Sequence, residues 1–113
     1  MDESLRPTER IRKRTEFAEL YKKGRRIRGR YFHLVFQPNE LGFPRLGVVV
    51  SKRVGKANVR NRIKRWFREV FRRHKDCLAR PVDMVLIAQR EILELDWKAL
   101  LKEFREMLDR LPE

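Results

Sequence analysis

Residues 51–73 set ten lysines and arginines against a single carboxylate, Glu69. Guanidinium forks and ammonium point charges at that density share one chemical use, the binding of phosphate oxygens. A mixture of the two along one segment suits sugar-phosphate contacts rather than the reading of one base. The excess is local. Residues 45–75 hold 12 basic groups and 1 acidic group, whereas residues 76–113 hold 6 and 9. The net charge of +13 and a pI near 10.9 therefore describe a basic element in an otherwise mixed chain, which is the electrostatic footprint of a nucleic-acid binder. Ordinary surfaces intersperse the two signs; repulsion clustered this way is relieved by bound phosphates.

The inventory for covalent or acid–base catalysis is poor. His33 and His74 stand in no motif that pairs them, and no Ser, Thr or Cys lies in a nucleophile pattern. Lone histidines of this kind are expected to be structural or incidental. No Gly-rich phosphate loop or metal-ligand spacing is present, and the acids are scattered mostly over the C-terminal third. The chain is expected to hold RNA without cutting it, with no catalytic residue and no metal site of its own. Cys77 is the single cysteine, so no disulfide can form within the chain. The longest apolar run, residues 84–88, neither spans a bilayer nor serves as a secretory signal, so no membrane association and a cytoplasmic location are expected.

These groups need a scaffold. A length of 113 residues with 42% apolar composition predicts one RNA-binding domain over residues 1–113, with residues 1–7 frayed. A first helix is predicted with Thr15 as N-cap, Glu16 and Glu19 near its positive end, Lys22 and Lys23 near its negative end, and Gly24 at the stop; its start could lie as early as Thr8. Residues 31–37 and 46–52 read as strands flanking a loop with Pro38, Asn39, Gly42 and Pro44, and are expected to pair antiparallel. Residues 83–89 form a third strand, and residues 25–28 offer a short extra one with little support from composition. From Asp96 onward Trp97, Leu100, Leu101, Phe104, Met107, Leu108 and Leu111 follow helical spacing. That helix packs by one stripe and turns its acidic surplus away from the polyanion.

The basic segment is itself helical in pattern. Val59, Ile63, Trp66, Phe67 and Val70 share one side, and Asn61, Arg65, Arg68 and Arg72 the other. Arg60 and Lys64 flank one border, Arg62 and Arg73 the second. Asn58 is the predicted N-cap, preceded by a flexible VGKAN turn. On the first helix Phe17, Leu20 and Tyr21 share a face, and its aromatics are either core or a stacking platform for unpaired bases. In the strand 31–37, Phe32, Leu34 and Phe36 point one way, and Tyr31, His33 and Val35 point to the wetter side; Gly47, Val49, Ser51 and Arg53 make the matching face of the next strand. A groove between that face and the first helix would have a floor of small and polar groups and an aromatic wall.

The stretch LGVVVSKRVGKANVRNRIKRWFREVFRR resembles the signature of the bacterial ribonuclease P protein component, with its Arg-Asn-Arg core at Arg60, Asn61 and Arg62. The likeness covers nearly the whole chain, since that family also has paired aromatics before a glycine, here Phe17, Tyr21 and Gly24, and a D-x-V-x-x-x-x-R segment, here residues 83–90. The resemblance implies an α+β fold: a two-layer α-β-β-β-α-β-α sandwich, like a domain of a small-subunit ribosomal protein, with a left-handed βαβ crossover against the usual right-handed rule. It implies a protein subunit of ribonuclease P that binds the catalytic RNA and the 5′ leader of precursor tRNA, promoting Mg²⁺-dependent endonucleolytic removal of that leader. The RNA would carry the catalysis and hold the Mg²⁺, and no further protein partner would be obligatory. By similarity, Arg60, Asn61, Arg62, Lys64, Arg65, Arg68 and Arg72 would face the catalytic RNA, with Lys52, Arg53 and Lys56 near its junction with substrate. Phe17, Tyr21, Ser51 and Arg53 would line the leader cleft, with Arg90 at its rim. Val35 stands where some members place an aromatic on the cleft floor. Composition alone would favour a ribosomal or other structural RNA-binding protein. A helix-turn-helix DNA reader fits the basic helix but not the strands on both sides of it.

Overall fold

Residues 7–112 are described by a computed structural model. The fraying expected of the first residues falls mainly on 1–6, outside the described residues; Pro7–Glu9 form a 3₁₀ turn. Four strands follow, β1 (Arg25–Ile27), β2 (Phe32–Pro38), β3 (Arg45–Val49) and β4 (Val82–Ala88), together with three α-helices, α1 (Arg14–Lys23), α2 (Ala57–His74) and α3 (Trp97–Leu108). In chain order they give the α-β-β-β-α-β-α succession that the resemblance implies.

The strands make one sheet in the order β1-β2-β4-β3. The antiparallel pairing expected between residues 31–37 and 46–52 does not form, because β4 lies between them, antiparallel to β2 and parallel to β3. The physical reason is polarity. β4, with sequence VDMVLIA, buries residues on both faces and so belongs in the middle of a sheet that is covered on both sides. The parallel pair requires a long connection, and α2 supplies it. The short extra strand is real: β1 pairs with β2 at the opposite edge.

One face of the sheet carries the main core. Phe32, Leu34 and Phe36 of β2 and Met84 and Leu86 of β4 pack with Ile63, Phe67, Val70 and Phe71 of α2 and Leu100, Phe104 and Met107 of α3. The inner side of α2 extends further than the spacing suggested, taking in Phe71 and His74, while Val59 and Trp66 sit half-buried at its margin. His74 is structural, as a lone histidine should be: Arg105 Nε donates to its Nε2 at 3.1 Å, so Nδ1 carries the proton and donates to Val70 O at 2.7 Å. The second face is covered too, by α1, whose Leu20 joins Ile11, Val35 and Val85 in a smaller core.

Helix starts differ from expectation. α1 follows Lys13 and α2 follows Lys56, neither with a side-chain cap, so Thr15 and Asn58 lie inside their first turns. The first N–H groups of both helices are thus left without a capping side chain. Asp96 does cap α3, accepting from Ala99 N at 2.8 Å, and α3 stops at Leu108, short of Leu111. Among the described residues no helix is long and apolar enough to cross a membrane.

Candidate nucleic-acid interface

The outward side of α2 and the turn before it form a cationic surface. Lys52, Arg53, Lys56, Asn61, Arg62 and Arg65 are exposed, and Arg60, Lys64 and Arg68 are half-buried. Among the described residues none of these cations lies within ion-pair distance of a carboxylate. Arg60 turns its Nε to Gly55 O at 3.1 Å, tying the helix to the preceding turn. The Arg62 guanidinium lies 5.5 Å from the centre of the Trp66 ring, which in turn meets Trp97 edge-on at 5.9 Å. Arg72 is different. It donates to both oxygens of Glu69, at 2.7 and 3.2 Å, and Arg73 donates to the same carboxylate at 2.8 Å. Those bonds, led by Arg72, hold the Glu69 carboxyl below the usual carboxylate range. Of the row expected to face RNA, Arg72 therefore has its fork turned to the one acid of the helix.

Burial, followed by the charges of Arg10 and Arg12, holds Arg68 below the usual arginine range. The N-terminal segment reaches this surface by running beside β3, where Ile11 N donates to Leu46 O at 2.9 Å. Arg10 Nε is buried without a hydrogen-bond partner. Arg10 and Arg12 escaped the sequence reading. Their basic run was visible, but no periodicity placed it beside α2.

The expected groove lies on the other side of the sheet. Register puts Arg26, Val35, Val85 and Gly47 in one row across the four strands, and His33, Ile87 and Val49 in the next. α1 covers the first row: Val35 and Val85 are buried, and a Cβ on Gly47 would come within 2.8 Å of two Phe17 ring atoms. Gly47 is thus the seat of the Phe17 ring. The second row is the open floor, and its three residues are half-buried. Tyr21, 41% exposed, stands on the wall with its ring centre 6.4 Å from that of Phe17. Ser51 and Arg53 are exposed just beyond β3, and Arg90 is exposed just beyond β4. Phe17 is therefore both core and wall, whereas Tyr21 is wall. Gly47→Ala should displace the Phe17 ring and cost about 1–3 kcal/mol in urea unfolding, a loss that shrinks in a Phe17→Leu background.

The wall is fastened by one arginine. Arg45 of β3 forks onto Asp83 of β4 through Nε at 2.9 Å and Nη2 at 2.7 Å, and donates from Nη1 to Glu16 of α1 at 2.8 Å. Asn39 Nδ2 adds a third bond to Asp83 at 2.8 Å. These contacts, chiefly the hydrogen bond to Asp83, push Arg45 above the usual arginine range. Asp83 of the D-x-V segment is thus a fastener of the cleft rather than part of its lining.

A cationic helix on one side of a sheet and an aromatic-walled groove on the other define an RNA-binding protein of the α+β sandwich class. The family profile described as Ribonuclease P matches residues 5–112. The ribonuclease P protein component of Thermotoga maritima is 36% identical over 115 residues, covering 98% of each chain, and that of Syntrophus aciditrophicus is 38% identical over 110 residues, covering 97% of this chain and 92% of its own. The solved RNase P protein from Thermotoga maritima matches with a TM-score of 0.83 at 34% identity, covering 93% of this chain and 99% of that one. The corresponding Staphylococcus aureus structure gives 0.80 at 33% identity, covering 90% and 93%. The chain belongs to the ribonuclease P protein family, and as a subunit of ribonuclease P it partners the ribonuclease P RNA in tRNA processing.

Proposed function

We propose that the groove between α1 and the sheet takes the single-stranded 5′ leader of precursor tRNA while the outward side of α2 docks on the catalytic RNA. The observation that carries this reading is the separation of the two surfaces. Among the described residues, the cations of α2 as far as Arg68 and of the turn before it lie out of ion-pair reach of any carboxylate, and Phe17 and Tyr21 wall an open floor on the opposite face of the sheet. Arg60, Asn61, Arg62, Lys64, Arg65 and Arg68 meet the catalytic RNA, and Lys52, Arg53 and Lys56 lie where it adjoins substrate. Arg72 takes part through the charge it shares with Glu69. Stacking on Phe17 and Tyr21, with Ser51, Arg53 and Arg90 along the strand's path, gives affinity for an unpaired leader regardless of its sequence.

Under this reading the RNA performs the Mg²⁺-dependent endonucleolytic hydrolysis. Magnesium is held by oxygen ligands, commonly waters with one or two carboxylates and phosphate oxygens, whereas Glu69 is engaged by Arg72 and Arg73, and both Glu16 and Asp83 by Arg45. The donor set suits the phosphates around a metal ion rather than the ion itself. The protein contributes leader affinity and screens RNA–RNA repulsion, which raises metal occupancy on the RNA. It works in the cytoplasm and requires no second protein.

The reading is tested by adding the chain to a ribonuclease P RNA and a leader-bearing precursor tRNA at low Mg²⁺, where cleavage should accelerate. No acceleration would favour a purely structural RNA-binding protein. If about five to eight phosphates are neutralised, affinity should fall with salt at a log–log slope on the order of −4 to −7. Arg65→Ala should flatten that slope by about one; an unchanged slope would place Arg65 outside the interface.

A further inference from the structure

His33 stands on the open floor of the groove, opposite Ile87 in the β2–β4 register. Its imidazole has no hydrogen-bond partner among the described residues: Nδ1 is buried and unpaired, and Nε2 keeps accessible surface. Buried polar atoms are ordinarily paired, so an orphan on the floor of a binding groove marks a contact completed by something else.

Its charged surroundings come from two sides. Arg26 and Arg28 flank it from β1 and the residue just past it, and α1 contributes Tyr21, whose ring lies 6.0 Å from the Arg26 guanidinium. β4 contributes the apolar Ile87. Burial and then the two arginines hold the imidazole below the usual histidine range, so the ring is neutral near pH 7 and offers one donor and one acceptor. That pairing complements the edge of a nucleobase, while two guanidiniums beside it complement a phosphate.

We propose that Tyr21, Arg26, Arg28 and His33 form a nucleotide subsite at the β1 end of the groove, where the guanidiniums hold a phosphate and the imidazole hydrogen-bonds the edge of an unpaired base. The proposal rests on the leader reading and adds base selection to it. Ile87 and Val49, the rest of the open floor, are apolar and cannot discriminate by hydrogen bonding. His33 thus makes this end of the groove selective at one leader position.

The test uses the chain reconstituted with a ribonuclease P RNA, and precursor tRNAs carrying each of the four bases at each leader position. The reconstituted enzyme should prefer one base at one position, and His33→Ala should flatten that preference by about three- to tenfold. His33→Gln, which keeps a donor and an acceptor, should restore part of it. Arg26→Ala should weaken all leaders alike, since phosphate contacts position and base contacts specify. His33→Ala removes an unpaired nitrogen and should melt no lower than the parent. If the parent binds precursor better than mature tRNA yet shows no base preference, or keeps its preference in His33→Ala, the subsite is wrong and the leader groove stands. If the parent binds precursor and mature tRNA equally, the leader reading itself falls and the subsite with it.

Discussion

Tyr21→Ala is expected to weaken binding of precursor tRNA by about 5- to 150-fold and to leave mature tRNA unaffected, as measured by equilibrium binding to the reconstituted enzyme. The figure is the value of one base–aromatic stack, about 1–3 kcal/mol, expressed as a ratio of affinities. Tyr21 is the better probe of the two aromatics because its ring is exposed on the wall, with Phe17 on one side and Arg26 on the other. Phe17→Ala should produce a similar loss, but with a fall in stability, since that ring also fills the space above Gly47. Equal losses for precursor and mature tRNA would remove both residues from the leader path.

Asp83→Ala should cost about 2–3 kcal/mol and lower Tm by roughly 10 °C, read from urea and thermal unfolding. The Asp83 carboxylate accepts two bonds from Arg45 and one from Asn39, and the Arg45 side chain is only 16% exposed. Removing the acid leaves that guanidinium partly buried with Glu16 as its one remaining partner. Glu16→Ala should cost less, because it accepts a single bond and is more open to solvent. Either change loosens α1 on the sheet, so leader affinity should fall while affinity for the catalytic RNA holds. An Asp83→Ala protein as stable as the parent would show that α1 is held by its apolar face alone.

Much of this was legible in the chain itself. Strand alternation, the i, i+3, i+4 stripe of α3 and the two-sided character of α2 are local patterns set by period, and they appear close to where the spacing puts them, with β3 ending at Val49 rather than Lys52 and α3 at Leu108 rather than Leu111. Sheet order is not local. Nothing in residues 31–52 reveals that β2 and β3 will each pair with a strand that lies beyond α2, and only the two-sided burial of β4 explains it. Capping chemistry at Thr15 and Asn58 was present, but both helices are entered two residues earlier, from extended backbone at Lys13 and Lys56. The ion pairs of Glu69 were readable from its i+3 and i+4 neighbours Arg72 and Arg73, whereas the Arg45–Asp83–Glu16 cluster joins three distant segments. For the same reason the approach of Arg10 and Arg12 to Arg68, and the seating of Phe17 on Gly47, needed tertiary geometry.

The position of β4 has a consequence for the newborn chain. It is an inner strand of the sheet and also the last of the four to be synthesised, so Phe32 must wait for Ala88, and Leu46 for Met84, before either ladder can close. Until then β2 has only the three-residue β1 beside it, and β3 presents an open edge. Pairings this remote in sequence form slowly and leave sticky strand edges exposed in the interval. Order of birth and order in space run against each other, and the molecule can complete itself only when a late arrival is admitted between two earlier strands.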